Sequence, residues 1–125
     1  MIVLPFPPAS LSGHANGNSH WGKSSITKRW RDDAHLAAKA SGFRMIDDDG
    51  QSDIAVLVSF YPPDRRSDRT NFPNRMKPIF DGLADFLGVN DKRFVPEYFY
   101  CPVAKPGRIE IRLALRPGQV WGEAA

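Results

Sequence analysis

Ile54-Ala55-Val56-Leu57-Val58-Ser59-Phe60 is the stretch on which the fold turns. It is nearly continuous in apolar residues, the pattern of a central strand covered on both faces rather than of a strand with one wet side. Tyr61-Pro62-Pro63 ends it and delivers the chain to a charged segment running from Asp64 to Thr70. A central strand needs neighbours on both sides and helices to cover it, so the rest of the chain is read for those.

Downstream, Phe72, Met76, Ile79, Phe80, Leu83 and Leu87 recur at helical spacing, with Asn74, Lys77, Asp81 and Asp85 on the opposite face. Asn71 is the expected cap, Pro73 fits the first turn, and Gly88 is the stop. Pro78 lacks a backbone donor, so it must kink this helix or delay its start. Phe94 to Tyr100 reads as a strand in which Pro96 implies an edge position or a local irregularity. Arg108 to Leu115 alternates with period two, placing Ile109, Ile111, Leu113 and Leu115 inward and Arg108, Glu110 and Arg112 outward.

Upstream, Asp47-Asp48-Asp49-Gly50 reads as a turn, with a metal role for its acids the lesser alternative. A helix is expected from Ser24 or Ser25 to about Ser41, stopped by Gly42. Ile26, Trp30, Ala34, Ala37 and Ser41 share one face of it, and Lys28, Arg31, His35 and Lys39 the other. That basic stripe is either a solvated helix back or a track for phosphates. Residues 9–25, rich in Gly, Ser, Asn and His, are expected to form a long mobile loop, with His14 and His20 as ordinary polar residues or metal and base candidates. Ile2 to Phe6 opens the chain as a short strand stopped by Pro7-Pro8. The order is β-α-β-α-β-β: one α+β domain over residues 1–125, a mixed sheet with two main helices packed on it and an irregular tail at 117–125.

Composition sets the frame. With 125 residues, 42% hydrophobic and 25% charged, the chain is an ordinary globular length and not a disordered one. A net charge of +3 and a pI near 9.2 permit nucleic-acid binding without requiring it. The lone Cys101 excludes an internal disulfide and offers no cysteine cluster for a zinc site. The apolar start is too short for a membrane span or a signal peptide, so a soluble cytoplasmic protein is expected.

The chemistry concentrates in Asp68-Arg69-Thr70-Asn71-Phe72-Pro73-Asn74-Arg75-Met76-Lys77-Pro78-Ile79-Phe80-Asp81, followed by Asp91. Carboxylates suit a hard divalent cation, and a nearby lysine suits the charge that develops on an attacked phosphodiester. Arg65, Arg66, Arg69 and Arg75 supply the opposite sign for a polyanion. Phe94, Tyr98 and Tyr100 alternate on one strand face, to pack against a helix or partner or to stack on bases.

These segments resemble the RusA family of Holliday-junction resolvases and its phage relatives over most of the chain. Leu4-Pro5-Phe6-Pro7-Pro8 resembles the family's opening strand and proline pair, Pro63 to Asp68 its arginine-rich approach, and Gly107 to Ile111 its closing strand. Within the family's acidic pattern, Asp68, Asn71, Lys77, Asp81 and Asp91 match, while Thr70 and Asn90 stand where acids are expected. The resemblance implies a homodimer that recognises four-way DNA junctions by shape and cuts them with Mg²⁺, with Mn²⁺ as a substitute. It implies Asp68 and Asp91 as metal ligands, helped by the oxygens of Thr70 and Asn90, and Lys77 as the group that steadies phosphate charge. Asp81 is either an anchor for Lys77 or a ligand. Lys28, Arg31, Lys39, Arg65, Arg66, Arg69, Asn71 and Arg75 are the expected DNA contacts. Loss of two negative charges weakens Mg²⁺ binding. The chain is then either an endonuclease or a junction-binding module with its chemistry weakened or lost.

Overall fold

The apolar run becomes β2, Asp53–Tyr61, and it occupies an interior position in a four-stranded sheet. The computed structural model describes residues 1–12 and 20–121, with the side chains of residues 20–24 outside that description. The other elements are β1 (Ile2–Pro5), α1 (His20–Ser41), α2 (Lys77–Leu87), β3 (Phe94–Tyr100) and β4 (Arg108–Arg116). The sheet order is β1-β4-β2-β3, so β1 and β3 are the edges, which suits Pro96 within β3. The fold is mixed α+β in a single domain.

Register follows the apolar positions. β4 runs antiparallel to both β1 and β2, pairing Ile111 with Ile2 and Val58, and Ile109 with Leu4 and Phe60. All of these side chains point to one face and are buried. Full burial of one such side chain contributes roughly 1.5–3 kcal/mol, and a one-residue slip would expose the whole set at once. β2 and β3 are parallel, from Ile54 beside Phe94 to Phe60 beside Tyr100. A parallel pair needs a crossover, and the chain spends α2 on it.

Both helices cover the same face. Ala34 and Ala38 of α1 join Phe72, Met76, Ile79 and Leu83 over Val56, Val58 and Phe60. The helices also press on each other at Gly82. A methyl placed there would overlap the carbonyl oxygen of Arg31 and lie 2.9 Å from Cβ of Ala34. Expected coverage on both faces of β2 holds only for part of its length: on the second face Asp53 and Ala55 are buried. Leu57, Ser59 and Tyr61 are only partly buried there, and Phe99 of β3 is exposed.

Local details depart from the sequence pattern for identifiable reasons. Pro78 delays the helix, as one of the two alternatives held: α2 starts at Lys77 with proline in its first turn, and Arg69–Arg75 winds separately as a 3₁₀ helix. Asp68, not Asn71, occupies the cap position of that 3₁₀ helix, and its carbonyl accepts from Asn71 N at 3.1 Å. Gly88 closes α2 with φ of 67°, a left-handed turn suited to glycine. The expected loop at 9–25 is shorter at both ends, because Ala9–Leu11 forms a 3₁₀ turn and α1 begins at His20. His14 and the side chains of His20 and Trp21 lie outside the described residues.

The Asp-rich turn is structural. Asp49 accepts from the backbone of Gln51 and Ser52 and from the Ser52 hydroxyl, while Asp48 takes a two-pronged grip from Arg93 at 2.5 and 3.1 Å. From Pro117 to Trp121 the tail has no helix or strand, as expected, but it is tied to the start of β2. Asp53 N donates to Gln119 O at 2.6 Å, and its carboxylate accepts from Trp121 N at 2.7 Å. The aromatics of β3 take the packing alternative: Phe94 meets Phe80 edge-on, and Tyr98 and Tyr100 stack beside Phe60.

Candidate functional site

α2 places Lys77, Asp81 and Asp85 four residues apart, so they climb one line of its solvent side. After Gly88 the chain turns back, and Asn90 caps the short 3₁₀ turn Asp91–Arg93 by accepting from Lys92 N at 2.9 Å. That cap fixes Asp91 beside α2. The Lys77 ammonium then donates to Asp91 Oδ2 at 2.5 Å and pairs with Asp81 Oδ1 at 3.0 Å. From α1, Arg31 forks onto Asp85, with Nε to Oδ2 at 2.6 Å and Nη2 to Oδ1 at 2.9 Å. These five charged residues, with Ala84, Val89 and Asn90, line an open cavity of about 400 Å³.

Three acids against two bases leave this hollow net acidic. The hydrogen bond to Asp91, seconded by that to Asp81, holds the Lys77 pKa above the ordinary lysine value. Lys77 in turn holds Asp91 below the ordinary aspartate value. Asp85 is held low by its bond to Arg31, and Arg31 is raised by the same bond. Asp81 and Asp91, which converge on the Lys77 ammonium, are the carboxylates of the hollow that could hold a divalent cation, since Mg²⁺ is held through one or two carboxylates plus water. Among the described residues no cluster of three or more His, Cys, Asp or Glu side chains is arranged to hold a metal ion.

The expected site residues divide into groups. Lys77, Asp81, Asn90 and Asp91 come together, and Lys77–Asp81 is the anchoring pair that their spacing suggested. Asp68 and Thr70 do not line this cavity; both are exposed, and the seven-residue 3₁₀ helix parts Asp68 from α2. Arg65, Arg66, Arg69 and Asn71 are exposed on the approach segment. Lys28 is exposed and paired with Asp32 at 2.6 Å, and Lys39 is exposed near the end of α1. The free basic stripe on α1 is corrected at two positions. Arg31 is committed to Asp85, and the His35 ring meets Phe86 edge-on, because this side of α1 faces α2. Arg75 is corrected as a surface contact: it is 6% exposed, lies over the rings of Phe6 and Phe72, and donates to Pro7 O at 3.0 Å.

Sequence reasoning missed two things. Asp85 belongs to the site, which its spacing from Asp81 would have indicated. Arg75 falls with Phe72, Met76 and Ile79 on the apolar stripe, which would have announced its burial.

No family model matches the sequence. An uncharacterized protein of Xylella fastidiosa is 36% identical over 96 residues, which make up 75% of this chain and 61% of that one. The chain thus spans about three fifths of the length of that relative. No helix among the described residues is long and apolar enough to cross a membrane.

Proposed function

We propose that the chain is a metal-dependent, structure-selective endonuclease acting on branched DNA as a homodimer. The observation that carries this is the meeting of Asp91 and Asp81 on Lys77 in an open hollow beside Asp85 and Asn90. It is compatible with the likeness to RusA-type resolvases at Lys77, Asp81, Asn90 and Asp91, but not at Asp68 and Thr70, which lie outside the hollow. Asp81 and Asp91 are the residues to hold Mg²⁺, which when bound supplies charge to polarise a phosphodiester. Lys77, with its raised pKa, stays protonated at neutral pH and offers its ammonium to a phosphate oxygen. Arg31 fixes the orientation of Asp85 at the rim of the hollow. Asp68, expected from the resemblance as a ligand beside Asp91, stands on the approach segment outside the hollow and is left out of this ligand set.

A second reading has its own support. Asp91 is already bound to Lys77, Thr70 and Asn90 are uncharged, and Asp68 and Thr70 stand outside the hollow. These features favour a junction-binding module with weakened chemistry.

A labelled synthetic four-way junction incubated with Mg²⁺ or Mn²⁺ distinguishes the two. Nicks that vanish in Asp91→Asn and Lys77→Met are expected of the nuclease. A retarded complex without nicks would leave the binding module. Neither nicks nor a complex would end both.

A further inference from the structure

We infer that the cleft under the approach segment, floored by Arg75, is a binding site for a phosphate group, separate from the Lys77–Asp91 hollow. Arg75 is 6% exposed, yet it forms no ion pair among the described residues, and its Nε has no hydrogen-bond partner there. Its one hydrogen bond is donated by Nη1 to Pro7 O, and the rings of Phe6 and Phe72 flank it. Burial holds its pKa below the ordinary arginine value. Removing a charge from water without a counter-charge is costly, so such a group marks a place where an anion completes the structure.

Room and companions for that anion are present. Arg75 lines a cavity of about 170 Å³ together with Ser67 and Asp64. Ser67, Asp64 and Pro62 also line an adjoining cavity of about 240 Å³, whose wall includes Arg65 and Arg69. Three guanidiniums and a hydroxyl therefore line two cavities that share Pro62, Asp64 and Ser67, against a single carboxylate. Asp64 Oδ1 is engaged by Arg66 N at 2.9 Å. Guanidiniums pair with phosphate through parallel hydrogen bonds, and the excess of positive groups suits an anion with more than one charge or two successive diesters.

The test is melting of the full chain as inorganic phosphate is titrated against chloride at matched ionic strength. A saturable rise in melting temperature is expected, and Arg75→Met should lose it. The comparison with that variant removes the general stabilisation that phosphate gives any folded protein. If Arg75→Met does not fold, the exposed pair Arg65→Ala/Arg69→Ala should lose most of the same rise. A single-stranded oligonucleotide that displaces bound phosphate, followed by ³¹P line width, would identify a nucleic-acid backbone as the source. Phosphate binding without that displacement would identify a small phosphate ester. Absence of a saturable rise in the wild type, or its persistence in Arg75→Met, overturns the inference. Lys77, Asp81 and Asp91 are untouched and no cleavage is read, so this outcome is independent of the nuclease proposal.

Discussion

At the scale of single residues, the acids of this protein do unlike work. Asp49 is held down to about 2, first by the Ser52 hydroxyl and then by the backbone of Ser52 and Gln51. A depressed carboxylate contributes stability that is fully present above its unfolded value and is lost as pH falls through the folded one. For Asp49 that window runs from about 3.8 down to about 2. Asp48 and Asp91, also held low by Arg93 and Lys77, add to the same acid limb. The raised pKa of Lys77 has the opposite sign. Its contribution is present below its unfolded value of 10.5 and is lost only as pH rises through the folded one. Denaturant melts between pH 2 and pH 7 should therefore show stability falling below about pH 4, with a shallower fall in Asp49→Asn. An unchanged acid limb in that variant would remove Asp49 from the account. Single-residue arguments also explain what the sequence concealed here. The turn was legible from Asp47-Asp48-Asp49-Gly50, but Arg93, which fastens it, lies 45 residues from Asp48 and carries no local signal.

Among elements, α1 and α2 approach closely at Gly82. Replacing a helical glycine with alanine gains up to about 1 kcal/mol of helix propensity where the surface is free. Here the added methyl meets the backbone oxygen of Arg31, which no rotamer change can move. Overpacking of this kind costs typically about 1–3 kcal/mol, so the clash outweighs the propensity gain. Gly82→Ala should lower the urea midpoint, and it should loosen the Arg31–Asp85 bridge across the same seam. A raised midpoint would show that α1 shifts at little cost. This seam also shows where sequence reading stopped. The strands and the α2 stripe were legible because one periodicity governs each, and Pro78 and Gly88 punctuate α2 by local sterics alone. Which face of α1 meets α2 is set by a pairwise fit between distant segments. The basic stripe on α1 thus looked free, although two of its members are used in that contact. Lys77, Asp81 and Asp91 were legible as a group. The separation of Asp68 was not, because the 3₁₀ path from Asp68 to Met76 follows from where Phe72 and Arg75 are buried rather than from any local pattern.

Across the whole molecule, an acidic hollow and a basic segment lie on different elements. The hollow between α1 and α2 is net acidic, while Arg65, Arg66 and Arg69 stand exposed on the segment after β2. A polyanion approaching the first is repelled unless a cation is held there; at the second it meets guanidiniums without ion-pair partners among the described residues. Grip and chemistry would then fall to different parts of the surface, which can be separated by salt. Each phosphate neutralised on duplex DNA adds roughly 0.9 to the slope of log affinity against log salt. The triple variant Arg65→Ala/Arg66→Ala/Arg69→Ala should therefore flatten that slope by roughly 2 to 3 for a four-way junction. Because all three are surface positions, its folding stability should stay within about 0.5 kcal/mol of the parent. Filter binding from low to moderate salt reads the slope directly. A parent protein with no steep slope would reduce the chain to an α+β interaction module with a charged loop. A steep slope that the triple variant leaves intact would move the DNA footprint elsewhere, with Lys28 and Lys39 on α1 the next positions to test.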